Sequence, residues 1–112
     1  MKVTIFKDVY KKSEPHYVDI DVALSRIEKG KSKPIIDNVR SGDKESKKKL
    51  PVVCFSGEFT DRSDEGLFEH NGLIVLDFDH VDVGNSKKML GTDQYVYSCW
   101  VSPSGDGLKA LF

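Results

Sequence analysis

Apolar and polar positions follow two different periods along this chain. In the first part, apolar residues recur at helical spacing between an N-cap aspartate, Asp19, and a terminating glycine, Gly30, which predicts an amphipathic helix. The apolar face of that helix consists of Ile20, Ala23, Leu24 and Ile27. A second helix is predicted from Pro34 to Arg40, because proline suits a first helical turn and Gly42 follows as a stop.

The remaining apolar runs are short and rich in β-branched and aromatic residues, which favours strands. Strands are predicted at 1–6, at the edge of a sheet, and at 50–59, 71–80, 94–102 and 107–112. The run 71–80, NGLIVLDFDH, predicts a buried strand with a charged end, and a crossover with a short helix should follow it.

These elements indicate an α+β fold with a mixed or antiparallel sheet and the N-terminal helices packed on one face. A length of 112 residues favours a single domain, residues 1–112. Because the sequence stops on an apolar strand, we expect it to be an N-terminal fragment of a longer protein.

The amino-acid composition indicates the compartment in which the protein works. Hydrophobic residues make up 38% and charged residues 31%, as in ordinary globular proteins. No run is long enough to span a membrane, and Cys54 and Cys99 lack zinc-type spacing, so we expect a cytoplasmic protein with buried, reduced thiols and no membrane partner.

The charged residues are distributed unevenly along the chain. Residues 1–50 carry 13 Lys and Arg against 8 Asp and Glu, whereas residues 51–112 carry 4 Lys and Arg against 10 Asp and Glu. The basic half could face a polyanion, and the acidic half could hold cations.

Two aspartates mark the end of the run 71–80. Side chains alternate along a strand, so Asp77 and Asp79 should lie side by side on one face. Two neighbouring carboxylates repel each other unless a divalent cation, a cationic partner or water neutralises them. The pattern alone leaves open a metal site and a solvated strand end.

A second motif, SPSGDGLK, occupies residues 102–109. Gly105 and Gly107 permit a tight turn whose amides could bind an anion, while Ser102, Ser104 and Lys109 add hydroxyl groups and a positive charge. Alone, such a segment also suits an ordinary hairpin. Together, the carboxylate pair and the turn are the minimum equipment for binding a nucleoside triphosphate with its Mg²⁺ or Mn²⁺.

The segments LPVVCFSGEFTDRSDEGLFEHNG, GLIVLDFDH and DQYVYSCWVSPSGDGLKALF closely resemble the VirE-like N-terminal domain family of bacterial mobile elements. That family resembles the primase-polymerase branch of the archaeo-eukaryotic primase superfamily. The resemblance implies an RRM-like catalytic core, metal binding by Asp77 and Asp79, and phosphate binding by the SPSGDGLK turn, with Lys109 where a histidine is common.

By the same resemblance, the parent protein would be a nucleotidyltransferase that acts in mobile-element DNA replication. Its partners would be nucleoside triphosphates, a DNA or RNA template and a downstream helicase domain. A third acidic residue would follow Phe112, so the present chain should bind metal-nucleotide weakly and be inactive. His80 is a further candidate metal ligand.

Two alternatives remain open at this point. A D-x-D motif at a strand end also occurs in metal-dependent glycosyltransferases, although their catalytic domains are much longer. A non-catalytic module that binds nucleotide or nucleic acid is the other alternative, and Lys109 in place of histidine favours it.

Overall fold

The structure is a computed structural model and describes all residues, 1–112. The chain divides into two compact units, residues 1–72 and residues 73–112.

The first unit contains two antiparallel sheets. Its elements, in order, are β1 (Lys2–Phe6), β2 (His16–Asp19), α1 (Ile20–Glu28), α2 (Lys33–Arg40), a 3-10 segment (Lys44–Lys49), β3 (Val52–Cys54), β4 (Gly57–Phe59), a 3-10 turn (Asp64–Gly66) and β5 (Leu67–His70). One sheet has the order β2-β1-β3, and β4 pairs with β5 in the other.

The core of the first unit lies around β1 and α1. Val3 and Phe6 of β1 are fully buried, and Ile20 and Ala23 of α1 are almost fully buried. Thr4 is buried as well, and its hydroxyl donates to the Gly57 carbonyl at 2.9 Å. This bond satisfies a polar group that would otherwise be costly to bury.

The second unit is a three-stranded sheet with one helix. Its elements are β6 (Val75–Phe78), α3 (Val83–Gly91), β7 (Ser98–Val101) and β8 (Leu108–Leu111). The strand order is β6-β8-β7, and β8 pairs antiparallel with both neighbours. Strands β6 and β7 therefore run parallel, so their carboxyl ends lie at the same edge of the sheet.

The predicted helices are confirmed. Helix α1 begins after Asp19, whose carboxylate accepts a weak hydrogen bond from the Asp21 amide, and α2 carries its proline in the first turn. Helix α1 packs against β1 and β2, while α2 packs against the 3-10 segment. The coarse fold class, α+β with antiparallel sheets, is also confirmed.

Three strand predictions are wrong in detail. Strand β1 lies in the middle of its sheet rather than at the edge. The run 50–59 forms two strands, β3 and β4, because the chain turns between them, and the two belong to different sheets. Strand β6 is an exposed edge strand rather than a buried one, because only β8 pairs with it.

Two further expectations concern the thiols and the membrane. Cys54 and Cys99 are free thiols, as expected, but each is half-buried rather than fully buried. Partial burial raises the pKa of Cys54, and the nearby Arg62 charge opposes this shift. The structure contains no helix with the length and apolar character that crossing a bilayer requires.

Candidate functional site

An ion pair joins the two sequence motifs directly. Asp77 of β6 lies opposite Lys109 of β8 in the antiparallel register, so both side chains stand on one face of the sheet. The Lys109 Nζ donates to Asp77 Oδ1 at 2.9 Å. The Asp77 side chain remains 54% exposed and the Lys109 side chain 32% exposed, so water and a ligand can reach both.

Trp100 extends this row across the third strand. It lies opposite Lys109 on the β7 side of β8, which places Asp77, Lys109 and Trp100 on the same face. Trp100 is half-buried rather than part of the fully buried core. One face of the sheet therefore carries an acid, a base and a large aromatic side chain in register.

Asp79 and His80 lie beyond the end of β6. The strand stops at Phe78, so strand alternation does not set the direction of the exposed Asp79 side chain. His80 adopts a left-handed backbone conformation, with φ of 54°. Its Nδ1 lies 2.7 Å from an Asp106 carboxylate oxygen, so His80 contacts the second motif.

The SPSGDGLK motif forms a closed turn. The Ser102 amide donates to the Gly107 carbonyl at 2.9 Å, and the Gly105 amide donates to the Ser102 carbonyl at 3.0 Å. Gly105 has φ of 87°, a conformation that glycine adopts without strain. Two of the turn's backbone amides are thus already bonded within it, which leaves fewer of them for an anion than the sequence suggested.

Gly107 brings this turn against the end of β6. A Cβ at Gly107 would lie 2.5 Å from the Phe78 carbonyl oxygen, so only glycine permits the approach. On the far side of the turn, the Val81 amide donates to the Asp106 carbonyl at 3.1 Å. The structure therefore places the two motifs together. We refer to Asp77, Asp79, His80, Lys109 and the turn 102–107 as the sheet-edge site.

Asp106 is a member of this site that the sequence analysis missed. Its carboxylate accepts a hydrogen bond from the Ser104 hydroxyl at 2.9 Å, and Ser104 Oγ lies 3.0 Å from Ser102 Oγ. The Ser104 bond, followed by the His80 contact, lowers the pKa of Asp106 below its ordinary value. The carboxylate therefore stays ionised and opposes a phosphate in the turn. In the sequence, its position between Gly105 and Gly107 was the feature that could have indicated a place in the turn.

The carboxylates of this site can bind a cation only if water and a bound phosphate supply the remaining ligands. No group of three His, Cys, Asp or Glu side chains is arranged to hold a metal ion. Asp77 and Asp79 offer carboxylate oxygens, and Asp77 is already neutralised by Lys109. Mg²⁺ is commonly held by one or two carboxylates, with waters and substrate phosphates as the remaining ligands. The site thus fits a cation that arrives with a phosphate ligand.

The family model of the BT4734-like, N-terminal domain matches residues 45–112, more than half of the chain. The chain belongs to this family. No curated protein and no solved structure matches the chain. The match covers the 3-10 segment Lys44–Lys49 almost entirely, strands β3 to β8, and every residue of the sheet-edge site.

This match corrects the resemblance stated from the sequence. The matching family is the BT4734-like, N-terminal domain and not the VirE-like family, and nothing in the comparisons points to the primase superfamily. The roles that the resemblance implied for individual residues lose that support. Their case now rests on the geometry of the sheet-edge site.

Proposed function

We propose that the sheet-edge site binds a nucleoside triphosphate together with Mg²⁺ or Mn²⁺. The observation that carries this proposal is the direct pairing of Asp77 with Lys109 beside the turn 102–107. The Asp77 carboxylate and the Lys109 ammonium group can separate when a ligand offers each of them an opposite charge. A cation would bind Asp77, and a phosphate would bind Lys109. A metal-nucleotide complex is such a ligand.

The position in the sheet supports the proposal. In open α/β sheets, ligands commonly bind outside the carboxyl ends of parallel strands. Strands β6 and β7 end at the edge where the site lies, with α3 crossing between them. The strand order β6-β8-β7 is that of a split βαβ unit, which supports an RRM-like or ferredoxin-like core as the finer fold proposal.

Each residue then has a stated task. Asp77 and Asp79 would hold the cation, and the contact between His80 Nδ1 and the Asp106 carboxylate would orient the imidazole, whose second ring nitrogen is the one that could bind the metal. Lys109 would bind phosphate oxygens, and the Ser104 hydroxyl would join it by exchanging the hydrogen bond that it donates to Asp106 for one to the phosphate. The bound cation would neutralise phosphate charge, which is the chemistry required for nucleotidyl transfer. We propose nucleotidyl transfer on a nucleic acid as the reaction of the whole protein.

The second candidate function is nucleotide or nucleic-acid binding without catalysis. The Asp77–Lys109 pair favours it, because a cation must compete with an ammonium group already at 2.9 Å.

The decisive experiment titrates Mn²⁺ into the chain with and without a deoxynucleoside triphosphate, with paramagnetic NMR broadening as the measurement. We expect broadening around Asp77 and Asp79 that strengthens when nucleotide is present. Asp77→Asn should abolish it. The matched control is Asp37→Asn, because Asp37 also pairs with a lysine on the surface, Lys33, at 2.7 Å.

Asp106→Asn sharpens the test of the phosphate position. If a phosphate occupies the turn, removing this carboxylate should strengthen nucleotide binding, because a like charge disappears. Nucleotide affinity that is unchanged in both Asp77→Asn and Asp106→Asn would contradict the proposal. Incorporation of nucleotide into a primer by the Mn²⁺-loaded chain would exclude the purely binding alternative.

A further inference from the structure

The first unit contains an open groove of about 390 Å³ that the proposed function does not use. Its floor is aliphatic, with Ile5 of β1, Val18 of β2 and Val22 of α1. Val22 remains 49% exposed, on the side of α1 that lies away from the buried Ile20 and Ala23. We call this feature the N-terminal groove.

The strand register explains why the floor is continuous. Ile5 lies opposite His16, and Val3 lies opposite Val18, so these side chains share one face of the sheet. The opposite face is occupied, because the Thr4 hydroxyl bonds to the backbone of β4. Ile5 and Val18 therefore lie on the face of the sheet away from β4, where Val22 of α1 also lines the groove.

Cationic side chains surround this floor. Lys7 and Lys11 come from the connector after β1, and Arg26 comes from α1. Lys11 lies 4.0 Å from the carboxylate of Glu14, the one acidic residue of the lining, whereas Lys7 and Arg26 form no salt bridge. The rim is positively charged and can complement an anionic ligand.

The connector that carries the two lysines is held in place. The Arg62 guanidinium donates to the Val9 carbonyl at 2.5 Å, and the Arg62 amide donates to the Lys12 carbonyl at 2.9 Å. The Asp8 carboxylate accepts from the amides of Tyr10 and Lys11. The backbone of this part of the rim is therefore held in place, which reduces the backbone entropy lost when a ligand binds.

Strand β2 adds a third feature. It is the edge strand of its sheet, and only β1 pairs with it. A free strand edge can pair with an extended peptide, with backbone hydrogen bonds giving affinity and side-chain pockets giving specificity.

We propose that the N-terminal groove binds an extended acidic peptide of a protein partner, with aliphatic side chains on the floor and carboxylates on the lysine and arginine rim. Charge complementarity and the free edge of β2 identify this occupant. Single-stranded nucleic acid suits the groove less well, because its bases stack on aromatic side chains and the lining contains no Phe, Tyr or Trp, with His16 as its one aromatic ring. The proposal is independent of the sheet-edge site.

The test measures fluorescence anisotropy of a labelled acidic peptide, EDLEVED, with the full chain. We expect saturable binding that is lost for QNLQVQN, which lacks the charges, and for EDSESED, which lacks the aliphatic side chains. Amide NMR shifts in the unmodified chain should localise the bound peptide to β2, α1 and the connector. This mapping does not depend on any variant folding correctly.

Charge reversal supplies the residue-level test. Arg26→Glu and Lys11→Glu should each weaken peptide binding by about tenfold or more, since a favourable rim contact becomes repulsive. The matched control is Lys31→Glu, an equal charge change at an exposed lysine outside the groove lining, which should alter the affinity by about twofold at most.

Three results would overturn the proposal. One is the absence of saturable binding to EDLEVED. Another is an equal loss of affinity in Arg26→Glu and Lys31→Glu, which would indicate a non-specific charge effect. The third is tighter binding of single-stranded oligothymidylate at the same residues, which would assign the groove to nucleic acid.

Discussion

Strands β6 and β8 are neighbours in one sheet and have similarly apolar sequences, yet they differ in how far their side chains are buried. Leu108, Ala110 and Leu111 of β8 are buried almost completely, whereas Val75 and Leu76 of β6 are 37% and 44% exposed. Strand β8 lies between two partners, and β6 lies at the edge. Hydrophobic content therefore did not decide which strand forms the core; strand order did.

The functional groups follow the same division. The edge strand carries Asp77, and its end carries Asp79 and His80, all exposed. The central strand contributes Lys109 at the position facing Asp77, between buried residues on either side. The buried strand thus holds one partner of the ion pair in place, while the edge strand presents the other to solvent.

The sharpest test of this comparison truncates one leucine in each strand. Leu108→Ala should destabilise the protein by about 2–5 kcal/mol, because it leaves a cavity in a buried site. Leu76→Ala should cost about 1 kcal/mol or less, since much of that side chain is already in water. Urea denaturation measures both, and equal losses would contradict the contrast between β6 and β8.

A second test separates the turn from the edge strand. Gly107→Ala should destabilise by about 1–3 kcal/mol, because the added methyl group would collide with the Phe78 carbonyl. Gly91→Ala is the control: Gly91 ends α3, and no atom beyond its chain neighbours and its own helix backbone lies within 4 Å of the added Cβ. Thermal unfolding should show a lower midpoint only for the first variant. A harmless Gly107→Ala would mean that the turn does not press against β6.

A third test concerns the ion pair. Asp77→Asn and Asp37→Asn each remove one acid from an exposed pair with lysine, so each should change the free energy of unfolding by about 1 kcal/mol or less. Mn²⁺-nucleotide binding should be lost only in Asp77→Asn. A large loss of stability in Asp77→Asn would indicate that the pair is structural.

The smallest expected effect is a local pH dependence in the turn. The folded-state pKa of Asp106 is lowered, so its contribution to stability is present above the unfolded-state pKa of about 3.9 and is lost as pH falls through the lower folded value. Amide NMR signals of residues 102–107 should therefore shift at acidic pH. Asp106→Asn should remove that transition while leaving residues 1–72 unchanged, and a transition that persists would assign it to another group.

Sequence reasoning succeeded where local signals dominate. The helix from Asp19 to Gly30 was predicted closely, because caps and apolar spacing act within a few residues. The two motifs themselves were recognised from residue type and spacing, whereas their contact follows from the pairing of β6 with β8. Asp106 was missed, because its pairing with His80 depends on contacts between residues 26 positions apart.

Strand order could not be predicted from residue type and local spacing. The sequence by itself determined the helices, most strand positions and the two charged motifs, because these depend on residue type and local spacing. Only the tertiary structure decided that β1 and β8 are central and β6 is an edge, that Lys109 neutralises Asp77, and that a basic groove opens beside β2. Such features depend on which distant segments pair, and similarly apolar strands do not carry that information individually.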